Sequence, residues 1–253
     1  MMNTIIAEIV RQGIILKRNM FRLSDITIWP LILFYSLTLF IVFIKADTSL
    51  VALVILGIIG WRIVYHMQIE MTMAYMDHYW QHTLAYTHIS PMRISAFIIG
   101  NIIVGALKFL LVLIMYLLLA KWMFAFTVPD PFTVTIALLF LGISGIFIGL
   151  ILFGLTLLYH EHAFNLAYAV PDLLVLLSGV YYPIAIFPAF MQNVAAFLPP
   201  FWGFELLKST VGYGQANYPL LVLSTIAWGA VSLFFLVWCY KRAKKTGRLA
   251  KLN

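Results

Sequence analysis

Arg62, His66 and Glu70 recur at steps of four within an otherwise apolar stretch, a spacing that places all three on one face of a helix over two turns. Lys108 and Asp172 stand in similarly apolar surroundings further along. A charge at the centre of a bilayer costs about 2.5–3.5 kcal/mol even on the most lenient scale, so these groups are expected to face a bundle interior or a wet cavity. Three chemistries fit them. Arg62 pairs with Glu70 or Asp172 as plain structure; Arg62 and Lys108 attract an anionic head group near mid-depth; or His66 and Glu70 relay protons. The histidines raise a fourth. His78 and His82 lie one turn apart beside Asp77, and His160-Glu161-His162 forms a second group. Such spacing can hold zinc, yet no His-Glu-x-x-His motif is present, and no metal site is assigned.

The elements that must position these residues follow from composition. Of 253 residues, 64% are hydrophobic and only 10% charged, far from the balance of a soluble domain. Hydrocarbon supplies no water to backbone groups, so runs this apolar must be helices or a closed barrel, and the alternation of a barrel is absent. About 20 apolar residues span the hydrocarbon. Six such windows are predicted, at about 26–44, 50–76, 94–120, 132–159, 164–182 and 219–240, within one transmembrane domain covering 1–253. The fold class is an all-α integral membrane protein. Gly142, Gly145 and Gly149 give the fourth window a face for close helix packing. Cys239 is the only cysteine, which excludes an intrachain disulfide.

Before the first window, Ile5, Ile6, Ile9, Val10 and Ile14 share one helical face and Glu8, Arg11 and Gln12 the other, so about 3–22 reads as an interfacial amphipathic helix. No small-residue cleavage site follows it, and this segment is expected to stay. Six crossings put both termini on one side. That side carries Arg11, Lys17, Arg18, Arg22, Arg93, Lys241, Arg242, Lys244, Lys245, Arg248 and Lys251, against Lys45, Lys121 and Lys208 opposite. The basic side is therefore expected to be cytoplasmic. The net charge of +7 is explained by this anchoring beside anionic lipid, without nucleic acid.

Two connections are informative. The first, 77–91, is too polar to cross, and Trp80, Leu84 and Thr87 share a helical face before Pro91 ends any helix. It is either a short helix that a partner could push or an ordinary interfacial loop anchored by Trp and Tyr. The second, 183–208, is apolar but broken by Pro183, Pro188, Pro199 and Pro200, so it should enter the outer leaflet and return under protein cover. It would form an outer gate through Gly179, Pro183, Pro188, Pro199, Trp202 and Glu205. Glu205 lies amid aromatics and needs a partner or water. Tyr181, Tyr182 and Trp202 belong to an interfacial belt or line the substrate pathway.

The succession of Ser178-Gly179-Val180, Pro183, Pro188, Leu198-Pro199 and an aromatic-acidic-basic ending at Trp202, Glu205 and Lys208 resembles the signature of the type-2 permease family of ATP-binding-cassette exporters. The segment ending in Ser90-Pro91 resembles that family's coupling helix. The chain departs from the pattern at Pro199-Pro200 and Lys208, where the family often has asparagine-proline and arginine. The resemblance implies a homo- or heterodimer of permeases on two cytoplasmic ATPase subunits, in the cytoplasmic membrane. Trp80, Leu84, Thr87, His88, Ser90 and Pro91 would transmit the motion, and Arg62, His66, Glu70, Lys108, Tyr181 and Tyr182 would line the pathway. A six-span fold with a re-entrant hairpin before the last span is implied as well. The chain has no phosphate-binding loop of its own; Gly100 to Lys108 has Gly105-Ala106 where Gly-Lys is required. ATP and Mg are therefore expected on the partner, and no cofactor in this chain. The cargo expected is amphipathic or lipid-linked: glycolipid or polysaccharide, drug or lipid. The alternatives are a proton-coupled secondary transporter using Arg62, His66 and Glu70, and a membrane-embedded enzyme using the histidines. The first predicts repeats and broken mid-span helices that are not seen, and the second lacks a sufficient constellation.

Overall fold

A computed structural model describes residues 2–84 and 93–248. The described chain is helical, without a strand. In order, the elements are α1 (Met2–Arg18), α2 (Met20–Ile26), α3 (Ile28–Phe43), α4 (Thr48–Trp80), α5 (Ile94–Phe124), α6 (Pro131–Tyr159), α7 (Glu161–Phe164), α8 (Leu166–Leu177), a 3-10 turn (Ile184–Ile186), α9 (Ala189–Phe197), α10 (Phe201–Ser209) and α11 (Tyr218–Lys245). Taking α2 and α3 as one run, five helices are long and apolar enough to cross a membrane: Met20–Phe43, Thr48–Trp80, Ile94–Phe124, Pro131–Tyr159 and Tyr218–Lys245.

Five of the predicted windows reappear, lengthened by caps. Asp47 accepts from the Leu50 N–H at 3.1 Å, Asp130 from that of Thr133 at 3.4 Å, and Asn217 from that of Leu220 at 3.1 Å. Each cap satisfies an N–H that a helix start leaves open. The window at 164–182 is shorter than expected. Its helix α8 ends at Leu177, because Gly179 adopts φ +58° and turns the chain away.

Helix α4 is the spine. It is buried over most of its length, between α5 on one side and α6 on the other. Its neighbours approach through glycine. A methyl group at Gly145 would lie 2.6 Å from the Val64 carbonyl oxygen, and one at Gly105 would lie 2.7 Å from that of His66. No side chain fits at either point, so α5 and α6 rest on the backbone of α4. The outward faces of α5 and α11 stay apolar, with Leu111, Ile114, Leu118, Leu223, Ile226 and Phe234 exposed. Bands of this kind are what hydrocarbon requires.

Contacts fix the direction of each helix. Gly145 meets Val64 and Gly149 meets Gln68, so α6 runs parallel to α4. Gly154 meets Cys239 and Gly229 meets Phe147, so α11 is parallel to α6. Two successive parallel helices oblige the chain between them to return from one end of the bundle to the other. Helix α8 makes that return: Ala167 contacts Gln68, and Val180 contacts Gly57. Helix α10 then packs on Gly60 of α4 and Leu141 of α6, which is about 18 Å in from the start of α4 at 1.5 Å per residue.

Helix α1 lies with its polar side inward. Glu8 and Gln12 are buried, Asn101 of α5 donates to Glu8 at 3.1 Å, and Arg11 pairs with Glu8 at 2.7 Å. Ile6, Val10 and Ile14 point away from the protein. Amphipathicity was legible, and the bundle takes the polar face.

One hydrogen bond explains how α8 stays helical despite Pro171. Proline has no N–H, so the Ala167 carbonyl four residues earlier loses its partner, and Gln68 of α4 donates to it at 2.9 Å. Gln68→Leu should lower stability in detergent by about 1–3 kcal/mol, the cost of an orphaned buried carbonyl. Adding Pro171→Ala restores an N–H and should recover most of the loss in a thermal unfolding assay. A double variant as unstable as the single would show that Gln68 acts otherwise.

Candidate functional site

A cavity of about 920 Å³ lies between the α2–α3 run, α4 and α8. Its lining extends along α4 from Trp80 to Trp61 and includes Arg22, Asp25, Trp29, Arg62, Tyr65, Glu70, Asp77, Tyr168 and Asp172. Tryptophans and aliphatic residues of α3, among them Ile32, Leu33 and Leu37, supply an apolar wall. An amphipathic molecule matches such a surface: polar groups at few points, hydrocarbon elsewhere.

The charges around the cavity fall into two sets. Arg22 pairs with Asp77 at 2.6 Å, joining α2 to α4. Lys108 of α5 reaches both Glu70 oxygens at 2.7 and 2.8 Å, with 6% and 2% side-chain exposure. The sequence reading left Arg62 a pairing with Glu70 or Asp172 as one alternative; Glu70 is instead paired with Lys108. On one helix Arg62 and Glu70 stand two turns apart, and a neighbouring helix delivers a cation directly opposite. Arg62 has no carboxylate within ion-pair distance among the described residues. Its Nε donates to the Tyr116 hydroxyl at 3.3 Å, and its guanidinium lies 5.3 Å from the centre of the Tyr65 ring. Asp25 accepts from the Tyr65 hydroxyl at 3.2 Å, and Asp172 is exposed and lines the cavity, with no ion pair among the described residues.

His66 is fully buried, and neither ring nitrogen has a hydrogen-bond partner. Ligand atoms of Asp25, His66 and Glu70 lie within 4.8 Å of one another. The Lys108 ammonium already supplies, at both Glu70 oxygens, the positive charge that a metal ion would bring, so this trio is poorly suited to a cation. Asp77, named beside His78 and His82 as a metal candidate, is engaged by Arg22.

Lys208 organises the opposite end. Its ammonium meets Glu205 at 2.5 Å and donates to the Gly179 carbonyl at 3.1 Å and the Tyr182 carbonyl at 3.4 Å. Glu205 also accepts from the Gln215 N–H at 3.1 Å. One buried ion pair thus ties the turn after α8 to α10 and to the start of the last connection. Pro183 precedes the 3-10 turn, Pro188 caps α9, and the Pro199 carbonyl accepts from Ser144 of α6 at 2.9 Å. Trp202 donates to the Ala196 carbonyl at 3.0 Å. Tyr181 lies against Gly57, and the Tyr182 hydroxyl donates to the Leu176 carbonyl. The two tyrosines therefore sit in the turn after α8, and neither lines the large cavity.

At the basic end, Trp80 terminates α4 rather than opening a separate helix. His82 adopts φ +56° and breaks the chain before Leu84, so Trp80 and Leu84 do not share one continuous helix. Trp80 is 44% exposed, donates to Glu161 at 3.1 Å and meets Phe164 edge-on at 5.0 Å, whereas Leu84 is buried. Thr87, His88, Ser90 and Pro91 lie outside the described residues. His160 stacks on Tyr79 at 5.0 Å, and Arg248 donates to the Leu158 carbonyl at 2.6 Å, capping α6. Burial holds the His160 imidazole below its ordinary range. The unfolded chain takes up that proton first, so its contribution to stability falls as pH drops below about 6.5.

Sequence reasoning missed Arg22, Asp25 and Tyr116. Arg22 was assigned to topology alone, and the partners of Asp25 and Tyr116 lie 40 and 54 residues away. No local spacing carries that signal.

A protein-family model described as ABC-2 type transporter matches residues 8–211. No curated protein matches the chain.

Lys108→Met should leave the Glu70 carboxylate buried without a counter-charge and cost about 3–5 kcal/mol of stability. Lys108→Met with Glu70→Met removes both charges and should return most of it in detergent-solubilised thermal unfolding. Equal losses in the two variants would deny that the pair is what matters.

Proposed function

This chain belongs to the ABC-2 type transporter family, and from that premise we propose that it is the permease subunit of an ATP-driven exporter of amphipathic or lipid-linked molecules. A permease of this family is not itself the catalyst. The chain is a multi-pass membrane protein, and ATP hydrolysis belongs, in this reading, to separate cytoplasmic subunits.

The observation that carries the reading is the cavity along α4. It joins an aromatic, charged surface near the basic end to Arg62 at depth, and its apolar wall on α3 suits a molecule drawn partly from lipid. The parallel course of α6 and α11, with α8 returning between them, supports a sixth crossing beyond the five long helices. Both termini then share the cytoplasmic side of the inner membrane, as the basic residues favour. Helix α10, set deep against Gly60 and Leu141, supports a re-entrant hairpin above the cavity, held by Lys208 and Glu205.

In this scheme two permeases form a homo- or heterodimer on two ATPases. Closure of the ATPases on ATP pushes the 77–91 connection. Trp80 passes that motion to α4 on one side and, through Glu161 and Phe164, to α7 and α8 on the other. Helices α4 and α8 are two walls of the cavity, so a shift between them changes its access. A proton-driven cycle through His66 and Glu70 is less well supported, because Lys108 occupies both Glu70 oxygens.

Affinity purification of the chain from native membranes should bring down a nucleotide-binding subunit, and Trp80→Ala should reduce ATPase stimulation by about tenfold while membrane insertion stays normal, tenfold corresponding to roughly 1.4 kcal/mol of coupling. Transport by the purified chain on a proton gradient alone would replace this reading with the secondary transporter.

A further inference from the structure

Resting on the permease reading, we propose that the cargo bears a zwitterionic head group, a phosphate or similar anion joined to an ammonium, on an apolar tail. The charges around the cavity decide the class. Arg22 with Asp77 and Lys108 with Glu70 are internally neutral pairs. What remains is one guanidinium, Arg62, and two carboxylates, Asp25 and Asp172, none of which has an ion-pair partner among the described residues. A purely anionic head group would meet one cation and two repelling carboxylates. A purely cationic one would be held by carboxylate but would leave the buried Arg62 without an anion. A group carrying both signs gives Arg62 an anion and Asp172 a cation, while Asp25 keeps the Tyr65 hydroxyl as its donor.

The placement of these residues agrees. Helix α8 runs antiparallel to α4, with Ala167 beside Gln68 and Val180 beside Gly57. Five residues beyond Ala167, about 7.5 Å along the helix, Asp172 comes level with the turn of α4 that carries Arg62 and Tyr65. Asp25 lies toward Glu70, its carboxylate within 4.8 Å of the His66 and Glu70 ligand atoms, and it accepts from the Tyr65 hydroxyl at 3.2 Å. Arg62 and Asp172 are therefore the two opposite signs presented at one depth, from α4 and α8. Trp29 and Trp61 also line the cavity, and a tryptophan ring is a favourable partner for a quaternary ammonium.

The test uses the full chain in nanodiscs, titrated calorimetrically without nucleotide or ATPase, with the signal of empty nanodiscs subtracted. The probes are dihexanoylphosphocholine, dihexanoylphosphoglycerol and hexyltrimethylammonium. Phosphocholine should bind about tenfold tighter than either singly charged probe, as charge-assisted hydrogen bonds at one end of the head group imply. Arg62→Gln should weaken phosphocholine and phosphoglycerol by about tenfold and leave the ammonium unchanged. Asp172→Asn should weaken phosphocholine and the ammonium and spare phosphoglycerol. Asp172 is exposed, so this variant folds normally, and Asp172→Glu and Arg62→Lys should retain binding. Phosphoglycerol or the ammonium binding as tightly as phosphocholine, or Asp172→Asn without effect on phosphocholine, would overturn the assignment. Because no ATPase is present, failure here refutes the head-group class alone. Loss of the co-purifying ATPase with this binding pattern intact would refute the exporter reading alone.

Discussion

Inside hydrocarbon a carbonyl or charge that loses its partner has no water to turn to, and most distinctive contacts of this chain answer that constraint. Gln68 of α4 serves the carbonyl that Pro171 leaves open in α8. Lys108 neutralises Glu70 across the α4–α5 contact, and Lys208 answers Glu205 together with two carbonyls of the turn at Gly179. Each repair also joins two elements. Satisfying the polar group and positioning the helices are therefore the same act, which is why polar residues so sparse can specify a bundle whose apolar contacts are nearly interchangeable.

The spine α4 shows the two ways of joining helices in such a bundle. Toward α5 and α6 it is bound through glycines that bring backbone within contact distance of backbone. Toward the α2–α3 run and α8 it is bound through a few long side chains, Arg22 with Asp77, Tyr65 with Asp25 and Gln68 with Ala167. The first kind of contact leaves no space. The second leaves a cavity of about 920 Å³. The division separates a rigid half of the molecule from a half whose walls are held at points, and such walls can move without repacking a core.

The sequence made the spanning helices legible because 1.5 Å per residue and a fixed hydrocarbon thickness leave little freedom. The ends of those helices were less so: Asp47, Asp130 and Asn217 cap starts that hydrophobicity alone does not mark, and α4 and α11 run on past the apolar windows to Trp80 and Lys245. The window at 164–182 ran past the true end of α8 because apolar residues continue through a turn that Gly179 makes. Helix α1 was legible as amphipathic, but periodicity does not say which face the protein takes, and Glu8 turned inward to Asn101. Arg62, His66 and Glu70 were legible as one face of α4, and all three are buried, but spacing left their partners open. Glu70 and Lys108 are 38 residues apart, and only the α4–α5 register set by Gly105 brings them together.

That register also bears on how the site is divided. With Lys108 held by Glu70, Arg62 is, among the described residues lining the cavity, the cation without an ion pair, and it is secured from the α5 side by the Tyr116 hydroxyl, which itself donates to the Pro30 carbonyl of α3 at 3.0 Å. Tyr116 thus touches both the residue that would meet cargo and the helix that forms the cavity's outer wall. A displacement of α3 would move Pro30, and through Tyr116 it would disturb the support of Arg62. In the proposed permease, the wall that would admit a molecule and the charge that would receive it meet at one phenol, so opening the cavity would also loosen the guanidinium.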